Sequence, residues 1–229
     1  MGDQAERTEA RKLLKREGVE FLRLQFTDLL GSTKHVEVPE RQFGAALSGE
    51  VIFDGSALQG FARVAEADLL LHPDLETLRI FHESPQKSSP GPKMARVVCD
   101  IHNLDHIPFQ SCPRSCLKKA VAEAAMFGYE LQVAPEIEFF LFHRNQRDEP
   151  TTETQDTGSY FDLAPTDEGE QTRHDLLKAL GEVGIETEGV HHEISPGQHE
   201  VDLPFAGPVE TADNIGTFRL TARRLALGR

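Results

Sequence analysis

The chain has 229 residues, which is enough for one large domain or two smaller ones with a proper core. Its formal net charge of −14 argues against nucleic acid or an anionic membrane as the main partner, because both need a basic footprint. The acidic surplus fits a solvated surface, or a site that concentrates carboxylates around cations.

The N-terminal segment, the lack of a long apolar run and the cysteines predict a cytoplasmic protein. The first 18 residues are charged throughout and lack the apolar region of a secretory signal. No apolar run approaches the length of a membrane span. Cys99, Cys112 and Cys116 have no second Cys or His pair nearby, so they indicate reduced thiols rather than a zinc site.

The first hundred residues predict a small mixed sheet with little helix. A short helix over 4–17 ends at Gly18. Apolar runs and alternation predict strands in four stretches: 19–31, 34–39, 78–81 and 95–101. Two loops are predicted: 51–74 from its glycines, and 82–93 from its proline and serine content.

Beyond residue 104 the pattern changes to longer helices around short strands. Three helices are predicted: one from Pro113 to Gly128, one from the capping-box pair Asp167 and Glu170 to Gly184, and one over 212–227. The polar segment 145–159 is predicted to be mobile.

Two glutamates, Glu136 and Glu138, interrupt the apolar run VAPEIEFFLF. Residues i and i+2 of a strand face the same way, about 6.5–7 Å apart, so these carboxylates share a face while Ile137 and Phe139 face the core. Such a pair repels and takes up protons unless a cation lies between the carboxylates. An edge strand with both glutamates in water is the alternative.

A second acidic pair lies in HHEISPGQHEVD, which predicts two strands joined by a Pro-Gly turn. With a loop of Ser195–Gln198, Glu193 lies directly opposite Glu200, a destabilising arrangement that a divalent ion would relieve. Mg²⁺ and Mn²⁺ prefer carboxylate oxygens, whereas zinc favours more His or Cys. His191 and His192 are either ligands or hydrogen-bonding neighbours. The chain has no P-loop, so the residues indicate metal-dependent chemistry, with phosphoryl transfer as one option.

Five blocks of the sequence resemble glutamine synthetases of the bacterial and archaeal dodecameric type. In order, they are FLRLQFTDLLGSTKHVEVP, FDGSALQGFARVAEADLLLHPD, APEIEFFLF with the later GSYFDLAPTDEGE, EGVHHEISPGQHEVDLPF and TADNIGTFR. The resemblance implies an α+β fold. Residues 1–104 would form a β-grasp domain, and 105–229 would form the first part of the catalytic domain, an antiparallel sheet with flanking helices.

The resemblance also implies an activity: ATP-dependent ligation of ammonia to L-glutamate, which gives L-glutamine through a γ-glutamyl phosphate. Two ions of Mg²⁺ or Mn²⁺ per site would act as Lewis acids on phosphate oxygens. The implied partners are L-glutamate, ammonium, ATP and further copies of the chain in a homododecamer.

The resemblance assigns roles to seven residues. By motif position, Glu138, Glu193 and Glu200 would bind the first metal ion, and Glu136 would contribute to the second ion on the nucleotide side. Glu188 matches a position that contacts ATP.

Asp54 of FDGS matches a loop that reaches into the neighbouring subunit's site and binds ammonium. A carboxylate suits that role because it attracts NH₄⁺ and can accept a proton as the amine attacks. Taken without the resemblance, Asp54 is an Asp-Gly turn residue. Arg63 matches a position tied to feedback inhibition by glutamine, with a plain surface arginine as the alternative.

Family members continue past TADNIGTFR with an NGSG-type loop, a metal-binding His, a further Glu ligand and substrate-binding arginines, which 206–229 lacks. We therefore expect an N-terminal portion of the family's chain, inactive in isolation. Its last helix would leave an apolar stripe without packing partners: Ile215, Phe218, Leu220 and Leu225. The alternatives are a truncated non-catalytic paralogue that modulates full-length subunits, and a related ligase that joins glutamate to another amine.

Overall fold

The structure is a computed structural model that describes residues 2–58, 60, 68–82 and 91–227. The backbone divides into two compact units, Met1–Glu130 and Leu131–Arg229, each with its own sheet and hydrophobic core. The predicted boundary between residues 104 and 105 stays a prediction. None of the helices in the described part of the chain is long and apolar enough to cross a membrane.

The first unit is built on a five-stranded mixed sheet in the order β2-β1-β5-β4-β3. Strands β1 and β5 are parallel, and the other neighbours are antiparallel. The strands are β1 (Phe21–Thr27), β2 (Thr33–Pro39), β3 (Val51–Asp54), β4 (Asp68–His82) and β5 (Lys93–His102). The helices are α1 (Gly2–Arg16), α2 (Phe43–Leu47) and α3 (Pro113–Met126).

The predicted mixed sheet is confirmed, but the loop predicted over 51–74 is wrong. Strand β3 and the first half of β4 occupy the described parts of that stretch, and they pair from Val51↔Leu71 to Asp54↔Asp68. Leu69, Leu70 and Leu71 are buried on both faces of β4, so their run lacks the alternation by which a strand is recognised.

The second unit contains a three-stranded antiparallel sheet, β6-β10-β9, and a separate hairpin, β7-β8. The strands are β6 (Glu136–Phe140), β7 (Phe142–Arg144), β8 (Pro150–Thr154), β9 (Gly189–His192) and β10 (Gln198–Asp202). The helices are α4 (Glu170–Glu182) and α5 (Pro208–Leu227). Together they bury one core: Leu176, Leu180, Ile185, Val201, Leu203 and Phe218.

The segment 145–159 contains β8, and in the turn before that strand the Asn145 side chain accepts from the backbone N–H groups of Arg147 and Glu149. Its predicted mobility stays a prediction, whereas the predicted capping box is wrong. Asp167 does not form a capping box, because α4 begins at Glu170 after a Gly169 N-cap without a side-chain hydrogen bond.

Helix α5 packs better than the sequence predicts. Phe218 is 2% exposed and meets Phe139 of β6 edge-on, with ring centroids 6.0 Å apart. Leu225 packs at the margin of the same core, whereas Leu220 is 37% exposed. The predicted unpacked stripe is therefore wrong for Phe218 and Leu225.

Candidate metal centre on the β6-β10-β9 sheet

Strand β6 presents its two glutamates on the face away from the core. Glu136 and Glu138 are exposed, whereas Ile137 and Phe139 pack against the core that α4 and α5 cover. This alternation confirms the predicted common face of the two carboxylates. Both side chains therefore lie beside whatever β10 carries on that face.

Strand β10 is central and brings further carboxylates to the same face. Glu200 pairs with Glu138, and Asp202 pairs with Glu136. On the other side, Glu200 pairs with His191 of β9. The face thus carries acidic residues on two adjacent strands and a histidine on the third.

The predicted pairing of Glu193 with Glu200 is wrong by two residues. Strand β9 ends at His192, so the turn contains residues 193–197 rather than Ser195–Gln198. The backbone N–H of Glu193 donates to the Gln198 carbonyl at 2.8 Å. The turn is one residue longer than predicted, and the Gly197 N–H donates to Asp156 Oδ1, 41 residues earlier in the chain, at 2.9 Å.

The longer turn nevertheless brings Glu193 to Glu200. One ligand atom from each of His191, Glu193 and Glu200 lies within 4.8 Å of the others. His191 Nδ1 is 4.0 Å from Glu193 Oε1, and His191 Nε2 is 3.9 Å from Glu200 Oε2. Glu138 is held nearby, since its Oε2 accepts from Gln198 Nε2 at 2.5 Å. These side chains can hold a divalent cation.

Asp202 belongs to the same face and was missed by the sequence reasoning. Within the described part of the chain, its Oδ1 is buried without a hydrogen-bond partner. Burial raises the pKa of Glu200 to about 7, and hydrogen bonds with Glu193 and Asp202 add to the effect, whereas His191 opposes it. The i+2 spacing from Glu200 to Asp202 in HEVD could have shown that they share a face.

An aromatic pair stands at the edge of His191. The rings of Tyr160 and Phe161 lie 5.4 and 4.7 Å from the His191 ring, both in edge-on geometry. Phe161 has φ of +61°, and its N–H donates to the His192 carbonyl at 3.1 Å. Both rings are about half exposed, so they form an open wall beside the carboxylates.

A buried polar network, also missed from sequence, lies beneath the hairpin. Its members are Asp156, Asp167, Arg173, His192 and His199. Arg173 donates to both oxygens of Asp167 and to His199 Nδ1, the last at 2.9 Å. His192 Nε2 meets Asp156 Oδ1 at 2.9 Å. Asp167, His192 and His199 also come within ligand distance of one another, but the Arg173 guanidinium already supplies the positive charge there.

The contacts within this network shift the pKa values of its acidic and basic side chains. Burial would raise the pKa of Asp156, but hydrogen bonds from His192 and three backbone N–H groups lower it. Burial would lower the pKa of His192, but Asp156 and the Glu193 carbonyl raise it. Burial and Arg173 lower the pKa of His199 to about 4. The two histidines are therefore shifted in opposite directions, and His199 is neutral at neutral pH.

The remaining predicted residues lie elsewhere. Glu188 is exposed one residue before β9, and its N–H donates to the Asp202 carbonyl at 2.9 Å. Asp54 ends β3 in the first unit and accepts at Oδ1 from the N–H and hydroxyl of Ser56. Those hydrogen bonds lower the pKa of Asp54. Arg63 lies outside the described residues.

Comparison with known families matches both parts of the chain. The model for the glutamine synthetase beta-Grasp domain matches residues 18–104, and the model for the glutamine synthetase catalytic domain matches 110–229. The glutamine synthetase of Thermus thermophilus is 48% identical over 222 residues, which are 96% of this chain and 50% of that protein. The chain thus spans about half the length of the curated relatives it matches.

Solved structures agree in fold. A Plasmodium falciparum glutamine synthetase superposes with a TM-score of 0.80 at 19% identity, over 96% of this chain and 48% of that one. An ADP complex of GmaS gives a TM-score of 0.79 at 27% identity, over 94% and 48%. The predicted α+β fold, a β-grasp domain followed by part of the catalytic domain, is confirmed. The chain belongs to the glutamine synthetase family.

Proposed function

We propose that this chain supplies the carboxylate metal site of a cytoplasmic enzyme that ligates ammonia to L-glutamate with ATP. The product would be L-glutamine, formed through a γ-glutamyl phosphate. One observation carries the proposal: Glu200 lies in the central strand between Glu138 and His191, and ligand atoms of His191, Glu193 and Glu200 lie within 4.8 Å of one another. Family membership supports ligase chemistry.

The donor set fits Mg²⁺ or Mn²⁺. Without a cation, burial and the neighbouring carboxylates raise the pKa of Glu200 to about 7, and an oxygen of Asp202 is buried without a partner among the described residues. A divalent ion beside Glu200 would offset the first penalty, because a nearby positive charge favours the ionised carboxylate. We assign Glu138, Glu193 and Glu200 to the first ion and Glu136 to the second.

When bound, these ions would act as Lewis acids toward the phosphate oxygens of ATP. The chain's own residues prepare that position by concentrating negative charge and by fixing its geometry. Gln198 orients Glu138 through a hydrogen bond, and His191 lies between Glu193 and Glu200. The rings of Tyr160 and Phe161 contact the His191 ring edge-on and limit the positions that it can take.

Asp54 is proposed as the ammonium-binding residue. Ser56 lowers its pKa, so the carboxylate is ionised at neutral pH and can attract NH₄⁺. Glu188 is proposed to contact ATP from its exposed position one residue before β9. Arg63 is proposed as a regulatory residue, and the assembly as a homododecamer.

Titration with Mn²⁺, followed by electron paramagnetic resonance, tests the metal site on the 229-residue chain. We expect saturable binding that weakens roughly a hundredfold in Glu200→Gln or Glu193→Gln, since each loses a charged ligand. Glu182→Gln, which removes an exposed carboxylate from the end of α4, is the matched control and should bind as the wild type does. Equal binding by all four proteins would overturn the proposal.

A hydroxamate assay that depends on ATP and glutamate tests the reaction itself. We propose that these 229 residues bind metal without completing turnover, because the relatives that carry the activity are about twice as long. Clear turnover would show that this part of the proposal is wrong while supporting the ligase chemistry. Metal binding together with the absence of turnover agrees with both parts.

A further inference from the structure

We propose that Asp156 and His192 form a buried clamp that positions the β9-β10 turn, and with it Glu193 and Glu200, for metal binding. The inference rests on the proposed metal site. It concerns residues that would not touch the metal ion and would act only through those that do. Asp156 and His192 are therefore positioning residues.

Asp156 binds the turn from a distant part of the chain. Its Oδ1 accepts from the Gly197 N–H at 2.9 Å and from the Gly158 N–H at 3.2 Å, and its Oδ2 accepts from the Glu168 N–H at 3.1 Å. With the contact to His192, this carboxylate joins the segment 156–168 to the hairpin turn. Its side chain is fully buried, so water does not compete for these bonds.

His192 carries the constraint to the backbone of a proposed metal ligand. Its Nδ1 lies 2.6 Å from the carbonyl oxygen of Glu193, while its Nε2 contacts Asp156. Both ring nitrogens thus face acceptors, and the ring cannot rotate without losing one of them. The peptide that follows Glu193 is fixed by a group on the opposite face of the sheet.

A second buried pair fixes the other strand of the hairpin. Arg173 is bound to Asp167 and donates to His199, the residue directly before Glu200. The rings of His192 and His199 meet edge-on, with centroids 5.0 Å apart. The residue before each proposed ligand, His192 before Glu193 and His199 before Glu200, is therefore held in the same network.

Two glycines make room for these rings. A Cβ added at Gly158 would lie 2.7 Å from His192 Nε2, and one at Gly169 would lie 2.2 Å from His199 Cε1. Neither glycine has a left-handed φ, so the requirement is one of space and not of backbone conformation. The segment 156–169 is thus shaped to lie directly against the two histidines.

A purely stabilising role does not account for this arrangement. Burying ion pairs carries a large desolvation cost, and apolar residues of similar volume often stabilise a fold as well or better. What the network adds is a single geometry for the turn. Metal binding needs that geometry, because outer groups that orient ligands typically change metal affinity tenfold to a hundredfold.

The test compares Mn²⁺ affinity, melting temperature and amide hydrogen exchange in the 229-residue chain. Asp156→Asn removes the charge at nearly constant shape, and Gly158→Ala displaces His192 while keeping every charge. Gly181→Ala is the glycine control, since a Cβ there meets nothing within 4 Å. Leu180→Ala is the stability control, because it removes a fully buried side chain of the same core.

We expect Asp156→Asn and Gly158→Ala to weaken Mn²⁺ binding roughly tenfold and to speed exchange of the Gly197 amide. Gly181→Ala should change neither quantity. Leu180→Ala should lower the melting temperature without changing the Mn²⁺ affinity. The clamp is supported if Asp156→Asn and Gly158→Ala lose more Mn²⁺ affinity than Leu180→Ala does.

Three other outcomes would overturn the proposed clamp. If the wild type, Asp156→Asn and Gly158→Ala all bind Mn²⁺ with equal affinity, the clamp is overturned and the proposed metal site is not. Failure of the wild type to bind Mn²⁺ overturns the proposed metal site, and the clamp's role with it. If both variants fail to fold, wild-type exchange decides the question: a Gly197 amide that exchanges as fast as an exposed turn amide overturns the clamp.

Discussion

Glu200 lies directly opposite Glu138 across the β6-β10 ladder, and on its other side it pairs with His191 of β9. Like charges at directly paired positions destabilise a sheet. Gln198 donates to Glu138, which offsets part of the repulsion, whereas burial and the neighbouring Glu193 raise the pKa of Glu200. The face is therefore organised for a positive charge, and in its absence for a proton.

The first prediction concerns the pH dependence of metal binding. Because the pKa of Glu200 is raised to about 7, a proton competes with the cation for this carboxylate below neutral pH. We expect Mn²⁺ affinity to fall toward about tenfold per pH unit below pH 7, with close to one proton released per ion bound. Calorimetry in buffers of different ionisation enthalpy measures that release, and Glu200→Gln should abolish it. A pH-independent affinity would contradict the prediction.

The second prediction concerns the stability of the metal-free chain. The pKa of Glu200 is higher in the folded state than its ordinary value of 4.5, so the folded state binds the extra proton between these two values. The stabilising contribution of Glu200 to the free energy of unfolding is fully present below about pH 4.5 and is lost as the pH rises through about 7.

Urea unfolding in the presence of a chelator checks this sign. Glu200→Gln cannot ionise, so its free energy of unfolding should exceed that of the wild type at about pH 8 and should approach it at about pH 5. Glu182→Gln serves as the control on an exposed carboxylate. Parallel curves for wild type and Glu200→Gln would contradict the prediction.

Features of the site that depend on residues close together in sequence could be predicted, and features that depend on distant residues could not. The common face of Glu136 and Glu138 could be predicted, because the two-residue period of a strand depends on neighbours in sequence. The same period applied to Glu200 would have found Asp202. The register of the hairpin could not be predicted, because the turn also makes contacts with distant residues, such as the bond from Gly197 to Asp156, 41 residues away, that no local pattern contains.

The fold shows the same division. Helix α3 begins at Pro113 as predicted, since the proline signal is local. The stretch 51–74 was misjudged because its strand pairing is decided by partners in the sheet and not by alternation. The buried network of Asp156, His192 and Arg173 carried no recognisable signal, since its members come together only after the chain folds.

The third prediction compares a buried ion pair with a surface one. Arg173 is 6% exposed and binds Asp167, so removing its charge leaves a buried carboxylate unpaired. We expect Arg173→Gln to lower the free energy of unfolding by about 3–5 kcal/mol. Lys178→Gln removes an exposed partner 4.0 Å from Asp175 and should cost less than about 0.5 kcal/mol. Similar losses in the two variants, measured by urea unfolding, would contradict the buried pairing.

The fourth prediction concerns the support of β6 by helix α5. Phe218 is 2% exposed and lies against Phe139, whose neighbours in β6 are the proposed metal ligand Glu138 and the exposed Phe140. Truncating a buried aromatic ring leaves a cavity, so we expect Phe218→Ala to cost about 3–5 kcal/mol in the free energy of unfolding.

The control for Phe218→Ala is Leu227→Ala, since Leu227 is 65% exposed near the end of the same helix, and it should change stability by less than about 0.5 kcal/mol. Thermal and urea unfolding of the two variants measure the difference. A loss confined to the second unit should also speed hydrogen exchange along β6, because Phe139 would lose the ring that covers it. If Phe218→Ala has the same melting temperature as the wild type, helix α5 does not hold β6 in place. The exposed face that carries Glu136 and Glu138 must then be fixed by the pairing of β6 with β10 alone.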